Sequence, residues 1–180
     1  MDIPSPGPTP MITAVRVLAT RGLNGSLEEI ARRAGVSIGT LYKHFPTRAD
    51  LVEALLTPHV TALDEVAAKA LADPDPWSGL TGFLADMVGR FTADRALLEA
   101  FTGDNAAAAA LEQTCARGMS HIAAITDRAR RSGQLRSDAA DSDIANLMWA
   151  LALLGENAGT EAWQRAMTLV LDGLKPRPAE

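Results

Sequence analysis

Between Ile30 and Ala49 the sequence carries Arg32, Arg33, Lys43 and Arg48, with His44 among them and no acidic residue. Hydroxyl groups are interleaved with these cations: Ser37, Thr40 and Tyr42, the only tyrosine of the protein. Cations supply charge and hydroxyls supply directed hydrogen bonds, the combination that holds phosphate oxygens. Ser37, Thr40, Tyr42 and His44 are the candidate phosphate donors. Phosphate contacts position a protein on a duplex, whereas base edges specify sequence. Thr40, Lys43 and Ile38 are the side chains best able to reach a base edge, and Gly39 permits close approach. With so few readers, DNA shape must share in the specificity.

Such residues act together only if a frame holds them on one edge. Ser26 and Glu29 stand three apart, the spacing of a capping box, and open a helix. Leu27, Ile30, Ala31 and Ala34 give it one apolar stripe, and Gly35 stops it after two turns. Ser37 caps the next helix, which runs to about His44. Its free N–H groups and positive dipole end add a phosphate site. Phe45-Pro46 closes it, because the residue before a proline avoids the α region. Thr47, with Asp50 at the third helical position, starts a long helix to about Ala72, which Pro58 is expected to kink. Val36, Leu41 and Phe45 should fill the small core, with Leu51 and Leu55 below. A helix over 11–22 precedes these, after a proline-broken, disordered leader at 1–10. Two short helices joined by a tight glycine turn make a helix-turn-helix, whose second helix lies in the major groove.

Beyond Ala72, Asp73-Pro74-Asp75-Pro76 reads as a linker. Helical spacing then continues over Trp77–Ala93, Arg95–Phe101, Ala106–Arg131, Asp141–Glu156 and Glu161–Leu174. No segment alternates with the period of a strand. The expected fold is all-α, with about nine helices: a leader at 1–10, a three-helix DNA-binding domain at 11–56 and a regulatory and dimerisation domain at 57–180. Phe83, Met87, Phe91, Phe101, Met119, Met148 and Trp149 are apolar enough to line a ligand pocket. For any one of them, a place in the core is the plainer reading. Ile144, Leu147, Met148, Leu151 and Leu154 form one broad apolar face, and Trp163, Met167, Val170, Leu171 and Leu174 form another. Four such helices, two from each of two chains, would bury both faces; alternatively each face covers its own domain's core. His59 and His121 read as surface or satisfied histidines, and Cys115 as a buried thiol. Arg128, Arg130 and Arg131 suit a helix C-terminus on a solvated face. No phosphate loop, metal-ligand spacing or nucleophile motif appears, so neither a catalytic centre, a metal nor a cofactor is expected.

The stretch Leu27-Glu28-Glu29-Ile30-Ala31-Arg32-Arg33-Ala34-Gly35-Val36-Ser37-Ile38-Gly39-Thr40-Leu41-Tyr42-Lys43-His44-Phe45, then Pro46-Thr47-Arg48-Ala49-Asp50-Leu51, resembles the DNA-binding signature of the TetR family of bacterial transcriptional regulators. The likeness covers roughly 11–56; the remainder is similar in size and helical layout. It implies a homodimer on a palindromic double-stranded DNA operator, usually a repressor, released by a small-molecule effector bound in the C-terminal domain. It implies phosphate contacts for Ser26, Ser37, Tyr42, His44 and Arg48, and places Gly39, Thr40 and Lys43 near the bases. One feature departs from the family: the leader lacks the usual basic arm, which predicts weaker or less salt-sensitive DNA binding. The alternative function is a ligand-binding relative that no longer reads DNA.

The bulk charge seems at first to oppose this. The 180 residues carry a net charge of −5. Residues 1–56 hold six basic and five acidic side chains, however, and residues 57–180 hold eleven and seventeen. The acidity belongs to the second part. A single cysteine excludes an internal disulfide, the leader has no signal-peptide pattern, and Leu147–Leu154 is far too short to span a membrane. A cytoplasmic protein without membrane contact is expected.

Overall fold

The computed structural model describes residues 26–94, 97–98 and 108–176, apart from the side chains of Arg48, Leu55 and 108–111. All the regular structure in these residues is helical: α1 (Leu27–Ala34), α2 (Ile38–His44), α3 (Arg48–Ala72), α4 (Pro76–Ala93), α5 (Ala108–Arg131), α6 (Asp141–Ala158) and α7 (Thr160–Leu174). The expected helix over 11–22 lies outside the described residues. Of the short piece 95–101 only Leu97 and Leu98 are described, both helical and buried.

The chain divides into two compact units, Met1–Pro58 with Asp94–Leu111, and His59–Ala93 with Glu112–Glu180. Helix α3 runs unbroken through the division, which falls directly after Pro58. In the first unit α1 packs on α2. Ile30, Ala31, Leu41, Leu51, Val52 and Leu56 are buried there, as the apolar spacing requires. Val36 and Phe45 are only half-buried. Gly35 has φ 70°, a left-handed value that costs glycine little. Its turn lets the Val36 N–H reach the Ala31 carbonyl at 3.0 Å.

In the second unit α6 packs on α4 and α7, and α4 also touches α7. The segment Asp73–Pro76 is no linker but a tight corner inside this unit. The Ser78 N–H donates to Asp75 Oδ2 at 3.0 Å, which caps α4, and Pro76 opens the helix where no amide donor is needed. Gln134, just after α5, bridges the corner: its Nε2 donates to Asp75 Oδ1 at 2.7 Å and its Oε1 accepts from the Trp77 N–H at 3.2 Å. Arg128 donates to the carbonyls of Ala70 (3.1 Å) and Asp73. It therefore neutralises the C-terminal end of α3, not that of its own helix. Arg130 reaches Asp141 Oδ1 at 3.2 Å and the Ala139 carbonyl at 3.0 Å. Of the three arginines, only Arg131, paired with Asp127 one turn back, stays on the solvated face expected for all of them.

Two glycines mark close approaches. A Cβ on Gly79 would stand 2.3 Å from the Ala70 carbonyl oxygen. One on Gly155 would stand 2.3 Å from Thr92 Cγ2 and 2.7 Å from Trp163 Cδ1. Each lets one helix contact its neighbour through bare backbone. No helix among the described residues is long and apolar enough to cross a membrane.

Candidate nucleic-acid interface

The interface is built on two side-chain caps. Ser26 Oγ accepts from the Glu29 N–H at 3.2 Å and starts α1. The reciprocal half of the expected capping box is absent, because Glu29 turns to Arg33 instead, with Oε1 3.0 Å from Nε and 2.9 Å from Nη2. An i,i+4 ion pair has won over the backbone contact. Arg33 is thereby a partnered cation, while Arg32 and Lys43 are exposed. Ser37 Oγ accepts from the Thr40 N–H at 3.0 Å and starts α2. The two hydroxyls, Ser37 Oγ and Thr40 Oγ1, also share a hydrogen bond of 2.8 Å.

A third cap is complete in both directions. Thr47 Oγ1 accepts from the Asp50 N–H at 3.2 Å, while Asp50 Oδ2 accepts from the Thr47 N–H at 2.8 Å and the Thr47 hydroxyl at 2.7 Å. The Thr47 hydroxyl, then its backbone N–H, hold the Asp50 carboxyl below its ordinary range. The acid is thus tied into the start of α3.

Leu41 is the only fully buried residue of α2 and anchors it to the rest of the unit. Every other residue of α2 except half-buried Ile38 is exposed: Gly39, Thr40, Tyr42, Lys43 and His44. Tyr42 is 46% exposed, unusual for a large aromatic side chain. Ser37 and Ser26 are exposed as well. Eight of the nine candidate DNA contacts are therefore accessible at least in part. The side chain of the ninth, Arg48, lies outside the described residues. Nothing but Ser37 Oγ, at 3.8 Å, stands near a Cβ added to Gly39, so the first turn of α2 is bare on that side.

Two models of known families match the chain. One, described as bacterial regulatory proteins of the tetR family, covers residues 12–55. The other, the C-terminal domain of SbtR-like transcriptional regulators, covers 75–176. The chain belongs to the TetR family. It is therefore a transcriptional regulator with a helix-turn-helix DNA-binding domain. Among solved structures it is similar to the TetR transcriptional regulator SCO0520 from Streptomyces coelicolor, at 32% identity over 94% of this chain and 98% of that one, with TM-score 0.67. It is also similar to a TetR regulatory protein from Mycobacterium vanbaalenii, at 30% identity over 92% of each chain and TM-score 0.62. The fold extends to the regulator FadR from Bacillus subtilis, solved with stearoyl-CoA, at 15% identity over 91% of this chain and 94% of that one, with TM-score 0.71. No curated protein sequence matches.

The candidate pocket residues separate in the TetR-family fold. Phe83, Met87 and Phe91 on α4 and Met148 on α6 are buried, and Trp149 is half-buried. Phe91 and Trp149 meet with ring centroids 4.5 Å apart, tilted by 42°. The Phe91–Trp149 contact joins α4 to α6. Met119 is exposed and does not join them. Phe101 lies outside the described residues. The apolar faces of α6 and α7 are also corrected in part. Ile144, Met148, Leu151, Trp163 and Met167 are buried within the chain, where α6 packs on α4 and α7 and α4 also touches α7. Leu147, Val170 and Leu171 stay half-exposed. The large apolar side chains left outside are Leu153, 41% exposed, and Leu169, 70% exposed. Neither was among the expected interface residues, since the periodic stripe marks the inward side of each helix. Cys115 is exposed, against expectation.

One polar cluster joins residues far apart in the sequence. Asp64 on α3 accepts from His121 Nε2 through Oδ1 and from Arg117 Nη1 through Oδ2, each at 2.8 Å. The hydrogen bond from His121, ahead of the charge of Arg117, holds the Asp64 carboxyl below its ordinary range. More than fifty residues separate the partners, so no local spacing could announce the pairing.

Proposed function

We propose that this protein is a homodimeric repressor that binds a palindromic operator and leaves it when a small molecule binds the second unit. The carrying observation is the exposed edge of α2. Thr40, Tyr42, Lys43 and His44 are accessible together on a helix anchored by Leu41, in a segment without a carboxylate. In this reading two copies of α2 enter successive major grooves, about 34–36 Å apart or somewhat wider. Ser26, Ser37, Tyr42, His44 and Arg48 hold phosphate. Thr40 and Lys43 face bases, with Ile38 at the margin, and Gly39 allows the approach.

The second copy is recruited through the outer faces of α6 and α7, where Leu147, Leu153, Leu154, Leu169, Val170 and Leu171 are left uncovered to some degree. The effector is largely apolar, which suits the apolar side chains Phe83, Met87, Phe91, Met148 and Trp149 of α4 and α6. The stearoyl-CoA bound to the FadR relative is a precedent on the same fold. The effector acts through α3, the helix common to both units. It lowers operator affinity only by its differential affinity for two positions of that helix. The protein does no catalysis and works in the cytoplasm.

The test is selection of bound duplexes from fragments of the source genome, with and without salt. A palindromic site should be enriched, and Tyr42→Phe or Thr40→Ala should weaken its binding. Failure to enrich any palindrome at low salt would sink the repressor reading and favour a ligand-binding relative that no longer reads DNA.

A further inference from the structure

Thr40 is a β-branched residue whose Cβ carries two heavy groups, a hydroxyl and a methyl. The hydroxyl is engaged: Oγ1 lies 2.8 Å from Ser37 Oγ, and that same Ser37 oxygen receives the Thr40 N–H at 3.0 Å. The two bonds close a small ring between the cap and the third residue of α2. The ring fixes the side-chain rotamer whichever hydroxyl donates. A threonine with a free hydroxyl is an indifferent reader of DNA, because a rotatable donor and acceptor matches either kind of base edge. Thr40 is not free. With Oγ1 turned back to Ser37, the γ-methyl is the group it can present. The residue is exposed, beside the bare backbone of Gly39 and one helical turn before exposed Lys43.

The apolar feature of the major groove is the C5-methyl of thymine, which no other base of unmodified DNA carries. We propose that Thr40 reads one thymine in each operator half-site by methyl-to-methyl contact, and that Ser37 is a positioning residue that holds the methyl outward. This inference rests on the DNA-binding reading above. It adds the base, the atom and the cause of the preference.

The experiment uses the full-length protein and the duplex enriched by genomic selection. Each thymine is replaced in turn by deoxyuridine, which removes the C5-methyl and nothing else. Wild type should lose about fourfold in affinity per half-site at one symmetry-related position, the worth of one buried methyl group. Thr40→Ser keeps the hydroxyl and removes the γ-methyl. It should bind the thymine duplex about fourfold more weakly per half-site, about sixteenfold for the full palindrome, and show no uracil penalty at that position. Thr40→Val keeps a methyl and should keep the penalty. Ser37→Ala should shrink the thymine-to-uracil ratio, a readout that uniform loss of phosphate binding does not move. Far-ultraviolet dichroism checks that each variant is folded. Wild type insensitive to uracil at every position, or Thr40→Ser retaining the full penalty, would overturn this proposal alone. Absence of any enriched duplex would overturn it together with the DNA-binding reading.

Discussion

Lys43 and Tyr42 stand side by side on α2, both exposed, yet their removal should read differently. Lys43 is a flexible point charge near the expected bases. If it reads a guanine edge, Lys43→Ala costs about 1–3 kcal/mol on the selected operator and relaxes the preference at one position. If it holds a phosphate, binding weakens evenly across sequences and the salt slope falls by about one. Competition with scrambled duplexes separates the two outcomes. Tyr42→Phe removes a single hydroxyl. It should weaken specific and non-specific binding alike, with the ratio unchanged. Asp64 gives a prediction of another kind. Its folded pKa is lowered, so the stabilisation it contributes is present above its ordinary value of 3.8 and is lost as the pH falls through the lowered value. Asp64→Asn should lower the thermal midpoint near neutrality. The wild-type and variant curves should begin to converge only below pH 3.8 and meet once the pH has fallen past the lowered value, where the folded wild-type carboxyl is protonated. A constant gap down to the lowest pH would remove Asp64 as the source.

Of the three glycines of helix α4, two that stand one turn apart, Gly79 and Gly82, should respond to alanine with opposite signs. At Gly79 a methyl group meets the Ala70 carbonyl oxygen at 2.3 Å, a backbone atom at the end of α3 that has no rotamer to escape by. Gly79→Ala should therefore destabilise by about 1–3 kcal/mol, more than the helix preference of alanine returns. At Gly82 nothing lies within 4 Å of the added carbon. Gly82→Ala should raise stability by up to about 1 kcal/mol. Urea unfolding with an unchanged slope would measure both, and equal signs would refute the close-approach account. This pair also indicates what could be read in the chain beforehand. Helix positions and caps are local matters: Ser26, Ser37, Gly35 and Thr47 announced their roles through neighbours within four residues. The exposed edge of α2 was legible for the same reason, since a seven-residue helix with one anchor has little choice of face. What a helix packs against is not local. The corner at Asp73–Pro76 looked like a linker because proline and aspartate also build linkers, and its partners Gln134 and Arg128 stand more than fifty residues away. The apolar stripes of α6 and α7 mark the sides that are largely buried within the chain. Which other stripe each would meet was not written in its own spacing.

Charge is unevenly spread along the chain: residues 1–56 hold six basic and five acidic side chains, with Arg32, Arg33, Lys43 and Arg48 close together in sequence, while residues 57–180 hold seventeen acidic side chains against eleven basic ones. Such a distribution leaves the segment around α2 as the stretch most attractive to a polyanion. One weakly cationic edge is a poor grip on DNA, because electrostatic affinity rises with the number of phosphates neutralised. Two copies held together double that number, and the gain is lost if the copies separate. Operator binding should therefore depend on Leu169, which is far from α2 in sequence and 70% exposed on α7. Leu169→Glu puts a carboxylate where the proposed partner surface would close. It should leave the folded chain intact, since a side chain this exposed has little to lose within its own chain. Sedimentation should report a dimer for wild type at micromolar concentration and a shift to monomer for the variant. Affinity for the full palindrome should fall steeply, while the weak affinity for a duplex carrying one half-site stays the same. A variant that remains dimeric would exclude this face of α7. One that becomes monomeric yet binds the palindrome as tightly as wild type would break the link between assembly and operator recognition.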